Sequence, residues 1–468
     1  MGAFAGLLKA AGHRVTGSDT AFYPPMGEML QAYGVETRQG YDPAHLDPRP
    51  DLVVVGNVCR KDNPEARAAI DGGMAYRSFP KALGELFLAT RRPLVLAGTH
   101  GKTTTTALTA HLLHALGMDP SFLVGGVAKN FASSFRLGAG GAFVVEGDEY
   151  DSAFYEKIPK FWSYRPWGAV LTSLEHDHID IYPDPTSYRD AFRGFVSRLH
   201  PDGLLVAHGR DPSVVEVAAR APCRVVYYGL TTDTFPAGIT PTWMAAPIAP
   251  VGGKQPFELF IGGSLAGRFF SPLMGEHNLR NTLAALCLLA EGTGLPVAGL
   301  CRALLDFQGV RRRQDLRAHG GGVRVYEDFA HHPTAVAETL RAVRAHHPEG
   351  RLVAVFEPRS ATACRNLHQA EYPASFDSAD RVWITPVGRA NIPEAERLDV
   401  AAVVHDLTTR GRDARVLDPH DPAAAAETLL ADTAPGDTLV VMTNGSLEPL
   451  LRALTARVQP PVPSSSAP

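Results

Sequence analysis

Gly98-Thr99-His100-Gly101-Lys102-Thr103-Thr104-Thr105 follows an apolar run, Pro93-Leu94-Val95-Leu96-Ala97, and opens a helix-forming stretch. A glycine-rich turn between strand and helix leaves backbone N–H groups free, and with the helix's positive end they cradle polyphosphate. Gly98, Thr99, His100, Gly101 and Thr104 would then form the cradle. Lys102 would reach the outer phosphates, and the Thr103 hydroxyl would hold Mg²⁺. Leu96 stands where the longer pattern G-x-x-x-x-G-K-[ST] has its first glycine, so this turn is a tight G-x-x-G-K-T. A chance G-K-T of structural use is the competing reading, and the flanking strand and helix weigh against it. The motif predicts ATP binding.

Further chemistry gathers at the ends of other apolar runs. Glu146-Gly147-Asp148-Glu149-Tyr150-Asp151 places four carboxylates in six residues, which repel unless a cation or solvent relieves them. A solvated acidic loop is one reading. The position after a phosphate-loop strand favours a Mg²⁺ ligand, with Glu146 nearest the strand the choice. In Glu175-His176-Asp177-His178-Ile179-Asp180 the two histidines alternate and, in extended chain, face opposite ways. One faces the nucleotide pocket and the other is structural. Asn278 and Asn281 fall on one face of a helix start, where two carboxamides can read the edge of adenine or simply cap the helix. An arginine of Arg311-Arg312-Arg313 can neutralise charge developing on the γ-phosphate, unless the run is only a solvated hinge. Asp328, ending a later strand, can bond a ribose hydroxyl or orient that hinge.

The elements that must position these groups read as α/β throughout. The length of 468 residues suggests about three domains. Residues 1–90 alternate helix (3–11) with strands (13–19 and 51–57) whose ends carry Asp19 and Asn57, where open sheets bind nucleotides. Residues 91–312 carry the phosphate loop and strands 141–146, 167–173, 203–207 and 223–228, with a loop or short irregular strands inserted over 231–253. Residues 313–458 hold strands 323–328, 351–357, 380–385 and 438–442 with a helix over 335–346, again a doubly wound sheet. The Pro- and Ser-rich tail, 459–468, is expected to be disordered. A net charge of −4 gives no reason to seek nucleic acid. No apolar run approaches membrane-spanning length, and no signal peptide precedes the first helix. Five scattered cysteines form neither a disulfide framework nor a zinc motif. A cytoplasmic enzyme is expected.

Taken in order, G-T-H-G-K-T-T-T (98–105), E-G-D-E-Y-D (146–151), E-H-D-H-I-D (175–180), H-N-L-R-N (277–281), R-R-R (311–313) and D-F-A-H-H-P-T (328–334) resemble the Mur ligase family of ATP-dependent peptidoglycan amide ligases. The resemblance implies three domains, each on a mostly parallel sheet: a Rossmann-like UDP-sugar domain, a central ATPase and a Rossmann-like carboxyl-terminal domain that admits the amine. It implies that Lys102, Thr103, Glu146 and His178 match the phosphate and Mg²⁺ positions. Asn278 and Asn281 match adenine contacts, and Arg313 and Asp328 match hinge contacts to ATP. Gly56–Arg60, Gly125–Phe131 with Asn130, Val145–Phe154, Glu357–Ser360 and Met442–Ser446 resemble the branch that joins UDP-N-acetylmuramate to a murein tripeptide, L-alanyl-γ-D-glutamyl-meso-diaminopimelate. There Asn130 would meet substrate, Arg359 would pair with a peptide carboxylate and Asn444 would bond the peptide's amide or distal end. The rivals are a muramate–L-alanine ligase and a non-catalytic ATP-binding sensor. The family's first strand and its glycine-rich turn are missing ahead of Met1, so the expected first domain lacks its first strand.

Overall fold

A computed structural model describes residues 1–22, 26–389, 391–431, 433–445 and 447–459. The tail expected to be disordered lies, from residue 460 on, outside them. The first helix, Gly2–Ala10, buries Phe4 and Leu7. Phe4 meets Phe79 and Phe87 edge-on at 5.2 and 5.9 Å, and the same apolar cluster includes Phe143 and Val145 of the central sheet. Thr16–Asp19 pairs in parallel with Glu36–Gln39, and Val53–Val55 with Tyr76–Ser78, as two separate sheets. Both expected strands are therefore shorter than their apolar runs. A strand can extend only as far as a neighbour accepts its hydrogen bonds.

The central sheet has ten strands in the order Ser264–Ser271, Gln255–Ile261, Trp243–Pro247, Arg224–Leu230, Leu204–His208, Gly168–Leu171, Arg92–Ala97, Ala142–Gly147, Ser121–Ala128 and Ser133–Arg136. Pairing is parallel from Trp243–Pro247 to Ser121–Ala128 and antiparallel beyond both. The segment 231–253, expected to be irregular, contains the regular strand Trp243–Pro247. Burial decides it: Trp243 is 1% exposed and its Nε1 donates to Glu291 Oε1 at 2.8 Å. The strand before the phosphate loop sits mid-sheet, with Leu96 opposite Glu146 and Leu171 opposite Ala97. Three strand ends thus open on one point, where ligands of parallel sheets collect.

Helix Lys102–Ala115 leaves the loop and buries its threonine run. The hydroxyls of Thr105, Thr106 and Thr109 donate to the carbonyls of Gly101, Lys102 and Thr105, four residues back, at 2.7–2.8 Å. That satisfies polar groups a buried helix would otherwise strand. Helix Glu276–Thr293 packs beside it.

The last sheet runs Asp315–Gly320, Val323–Asp328, Thr438–Met442, Leu352–Phe356, Arg381–Ile384 and Asp413–Val416, parallel except for its first pair. Its two outer strands are polar and had no apolar signature. Separate cores cover its faces, one around Leu340, Phe356 and Phe376, the other around Val355, Leu439 and Leu451. Three domains on mostly parallel sheets result. No described helix is long and apolar enough to cross a membrane.

Candidate active site

A cleft of about 650 Å³ opens at the strand ends of the central sheet and is closed on one side by the carboxyl-terminal domain. Gly101 to Thr104, Glu146, Asp148, Asp177, His178, Asn278, Asn281, Arg313 and Asp328 all line it. Its cradle differs from the expected one. The N–H groups of Thr99 and His100 are spent on Ser173, donating to its carbonyl at 2.9 Å and its hydroxyl at 3.1 Å. Gly98 has a φ of +130°, and a Cβ there would lie 2.2 Å from Thr172 Oγ1, so this glycine serves close chain approach. The first intrahelical bond runs from Thr105 N–H to Gly101 C=O. The N–H groups of Lys102, Thr103 and Thr104 precede it and are the phosphate donors the helix leaves free. Gly101 has a φ of +80°, and a Cβ there would sit 2.3 Å from Asn281 Oδ1.

Lys102 folds back. Its Nζ donates to Gly98 O at 2.6 Å and to both carboxylate oxygens of Glu149 at 3.1 Å. Glu149 is wholly buried. Burial alone would raise its carboxyl, but the Lys102 charge and the His178 hydrogen bond outweigh that and hold it low. Reasoning from the sequence passed over Glu149 by choosing the carboxylate nearest the strand. No spacing signals that the chain folds back to bury the third one. Glu146 accepts from Gly125 N–H at 2.6 Å and from the Thr103 hydroxyl at 3.2 Å. Burial, then the charge of Asp148, raises its carboxyl to about 7. A buried acid pressed toward protonation beside a second acid is a place where a divalent cation relieves the field.

Residues 172–178 are irregular rather than extended, and His178 has a φ of +55°. Its Nε2 lies 3.1 Å from Glu149 Oε1. Burial works against its proton, yet the bond to Glu149 and the charge of Asp177 raise its pKa. Here His178 lines the same cleft as Thr103 and Glu146, with its Nε2 paired to Glu149. His176 turns away and bonds Tyr182 O at 2.8 Å, the structural member of the pair. Asp177 reaches the last domain, accepting from Thr362 Oγ1 at 2.6 Å with His331 Nε2 3.8 Å away.

Of the three arginines, Arg313 enters the cleft. Its guanidinium lies 4.6 Å over the Phe329 ring and donates to Thr103 Oγ1 at 3.2 Å. Arg312 instead ties the hinge to Glu327 Oε1 and to the carbonyls of Thr443 and Gly445, all within 3.0 Å. Arg311 is exposed. Asp328 accepts from Gln314 N–H at 2.7 Å and Ala330 N–H at 2.8 Å, which orients the hinge. Asn278 Nδ2 donates to Met274 O and Gln314 Oε1 at 3.0 Å, and Asn281 Nδ2 to Asn278 Oδ1 at 3.1 Å. Both carboxamides line the cleft, with both N–H donors of Asn278 and one of Asn281 bonded to the protein.

The expected substrate residues lie elsewhere. Asp19 and Asn57 sit at the carboxyl ends of the two separate strand pairs, and neither lines the phosphate cleft. Asn130 is held by the protein: its Nδ2 donates to Asp306 O and its Oδ1 accepts from Gln308 N–H, each at 2.8 Å. Both ends of that amide brace the segment leading to Arg311–Arg313. Arg359 is exposed, with its Nη1 on Gly388 O, and Arg389 Nε donates to Arg359 O at 2.9 Å. Asn444 holds a buried Oδ1 without a partner, an acceptor a ligand N–H would satisfy.

Comparison with known proteins shows the family. The Mur ligase family catalytic domain matches residues 1–91, the Mur ligase middle domain 96–289 and the Mur ligase glutamate ligase domain 311–445. The chain is 35% identical over 446 residues to the UDP-N-acetylmuramate–L-alanyl-gamma-D-glutamyl-meso-2,6-diaminoheptandioate ligase of Escherichia coli, covering 95% of this chain and 93% of that one. It is 35% identical over 449 residues to the UDP-N-acetylmuramate–L-alanine ligase of Kineococcus radiotolerans, covering 96% and 91%. The crystal structure of a murein peptide ligase from Psychrobacter arcticus superposes with a TM-score of 0.69 at 32% identity, covering 97% and 96%. The chain belongs to the Mur ligase family and, with it, to the ATP-dependent ligases that form amide bonds.

Proposed function

We propose that this chain joins UDP-N-acetylmuramate to the tripeptide L-alanyl-γ-D-glutamyl-meso-diaminopimelate, in the cytoplasm, as a step of peptidoglycan recycling. The observation that carries the reading is the convergence of Lys102, Thr103, Glu146 and Arg313 in one cleft between two domains. In the first step the lactyl carboxylate attacks the γ-phosphate of ATP, giving an acyl phosphate and ADP. In the second the alanine amine attacks the activated carbonyl, an amide forms and phosphate leaves. An anion attacking a polyanion needs its charge neutralised. Lys102 would exchange Glu149 for the outer phosphates, and Arg313, stacked on Phe329 beside Thr103, would face the terminal one. Thr103 and Glu146 are the residues to hold Mg²⁺, which supplies positive charge at the same phosphates. The pair Asp177–Thr362 would hold the carboxyl-terminal domain over the reacting carbonyl and keep water from the acyl phosphate.

The domain limits we assign are 1–90, 91–312 and 313–458. Asp19 and Asn57 would meet the UDP-sugar, while Arg359 and the orphan Asn444 acceptor would meet the peptide. A second reading, L-alanine as the amine, is favoured by the equal identity to the Kineococcus enzyme. ADP release with UDP-N-acetylmuramate and either amine separates the two. Tripeptide-dependent release is expected. Release with L-alanine alone would install the rival, and nucleotide binding without release would leave a sensor.

A further inference from the structure

Three metal-ligating side chains meet beside the phosphate loop without entering the chemistry above. His100 belongs to the loop, Glu175 to the irregular segment after strand Gly168–Leu171, and His332 caps helix Pro333–His346 of the carboxyl-terminal domain. His100 Nε2 lies 2.9 Å and His332 Nδ1 3.5 Å from the same carboxylate oxygen, Glu175 Oε2. One ligand atom from each residue lies within 4.8 Å of the other two. Bonds of about 2.0–2.1 Å to imidazole and carboxylate place neighbouring ligands of a tetrahedral ion roughly 3.3 Å apart, a value that the 2.9 and 3.5 Å spacings to Glu175 bracket.

We propose that His100, Glu175 and His332 form a site for a borderline divalent ion such as Zn²⁺, separate from Thr103 and Glu146. Two imidazoles and one carboxylate are a nitrogen-rich set that suits Zn²⁺ or Co²⁺, whereas Mg²⁺ demands oxygen ligands. The backbone N–H of Thr334 reaches the His332 Nδ1 only at a long 3.3 Å, a contact an ion displaces cheaply. His332 is 6% exposed, while the side chains of His100 and Glu175 are 26% and 39% exposed and both residues line the cleft. A fourth position therefore opens on the cleft, to water or a phosphate oxygen. Because His332 comes from the carboxyl-terminal domain and its two partners from the central one, an ion here would clamp that domain to the phosphate loop.

The test is a Co²⁺ titration of the chelator-stripped full chain in millimolar Mg²⁺, which leaves an oxygen site filled. One equivalent of Co²⁺ per chain with visible bands of four- or five-coordinate ion is expected, and Zn²⁺ should displace it. His100→Asn, Glu175→Gln and His332→Gln should each weaken binding at least tenfold, while His420→Gln on the surface changes nothing. Thermal unfolding of each variant verifies folding, and any one that folds suffices. Octahedral spectra only, loss of Co²⁺ to millimolar Mg²⁺, or affinity unmoved in the folded variants would overturn the site.

Discussion

Replacing Gly101 with alanine tests the geometry of the phosphate loop where it is tightest. The residue has a φ of +80°, where an L side chain costs roughly 1–2 kcal/mol. The new Cβ would lie 2.3 Å from Asn281 Oδ1, 3.0 Å from its Cγ and 3.1 Å from its Nδ2. Reaching ordinary contact, at 3.4 Å, moves that carboxamide by about 1.1 Å, against its bond to Asn278 at 3.1 Å. Overpacking of this kind costs about 1–3 kcal/mol. The two parts separate in a double-mutant cycle: Gly101→Ala, Asn281→Ala and both together, each read by denaturant unfolding and by ADP calorimetry. The single glycine variant should lose about 2–5 kcal/mol, shared between stability and nucleotide affinity. The double variant should recover the clash and keep the backbone strain, a coupling of about 1–3 kcal/mol. A glycine variant that unfolds and binds ADP like the parent would refute the loop's described conformation. So would additive single effects.

Two further outcomes follow from neighbouring groups. The Glu146 carboxyl, raised to about 7, is mostly protonated below that pH and cannot ligate a cation, so acid weakens Mg²⁺ binding. Affinity in the nucleotide complex should be about tenfold lower at pH 6 than at pH 8, and Glu146→Gln should bind weakly with a flat profile. A parent profile as flat as the variant's would remove Glu146 from the metal. Thr362→Val deletes the 2.6 Å hydrogen bond to buried, ionised Asp177, worth about 1.5–3 kcal/mol. Amine kcat/KM should fall ten- to a hundredfold with ADP affinity held within twofold; an unchanged kcat/KM would show that this link does not hold the domains.

What the sequence exposed was local. A strand, a glycine turn and a helix fix the backbone around Lys102 and Thr103, so the motif is readable within a dozen residues. Parallel strands buried on both faces announce themselves as apolar runs, and Glu146 follows from standing at the end of one. Long-range partners were not readable. Whether the N–H groups of Thr99 and His100 face phosphate or Ser173 depends on a segment more than seventy residues away. Glu149 looked like one of four surface acids until the fold buried it on Lys102 and His178. Asn130 stood out only within a stretch matched by resemblance, and the structure alone brings Asp306 and Gln308 to both ends of its amide. Strands Asp315–Gly320 and Asp413–Val416 are half-exposed rims, where pairing with a neighbour replaces the apolar signal.

The central claim, that a sugar carboxylate takes the γ-phosphoryl group before an amine displaces it, is tested most directly with oxygen-18. UDP-N-acetylmuramate labelled in both lactyl carboxylate oxygens is turned over with ATP and the tripeptide, and the released phosphate is weighed by mass spectrometry. One labelled oxygen in each phosphate is the expected result, since the acyl phosphate's bridging oxygen leaves with phosphorus. Phosphate released without label would contradict the account.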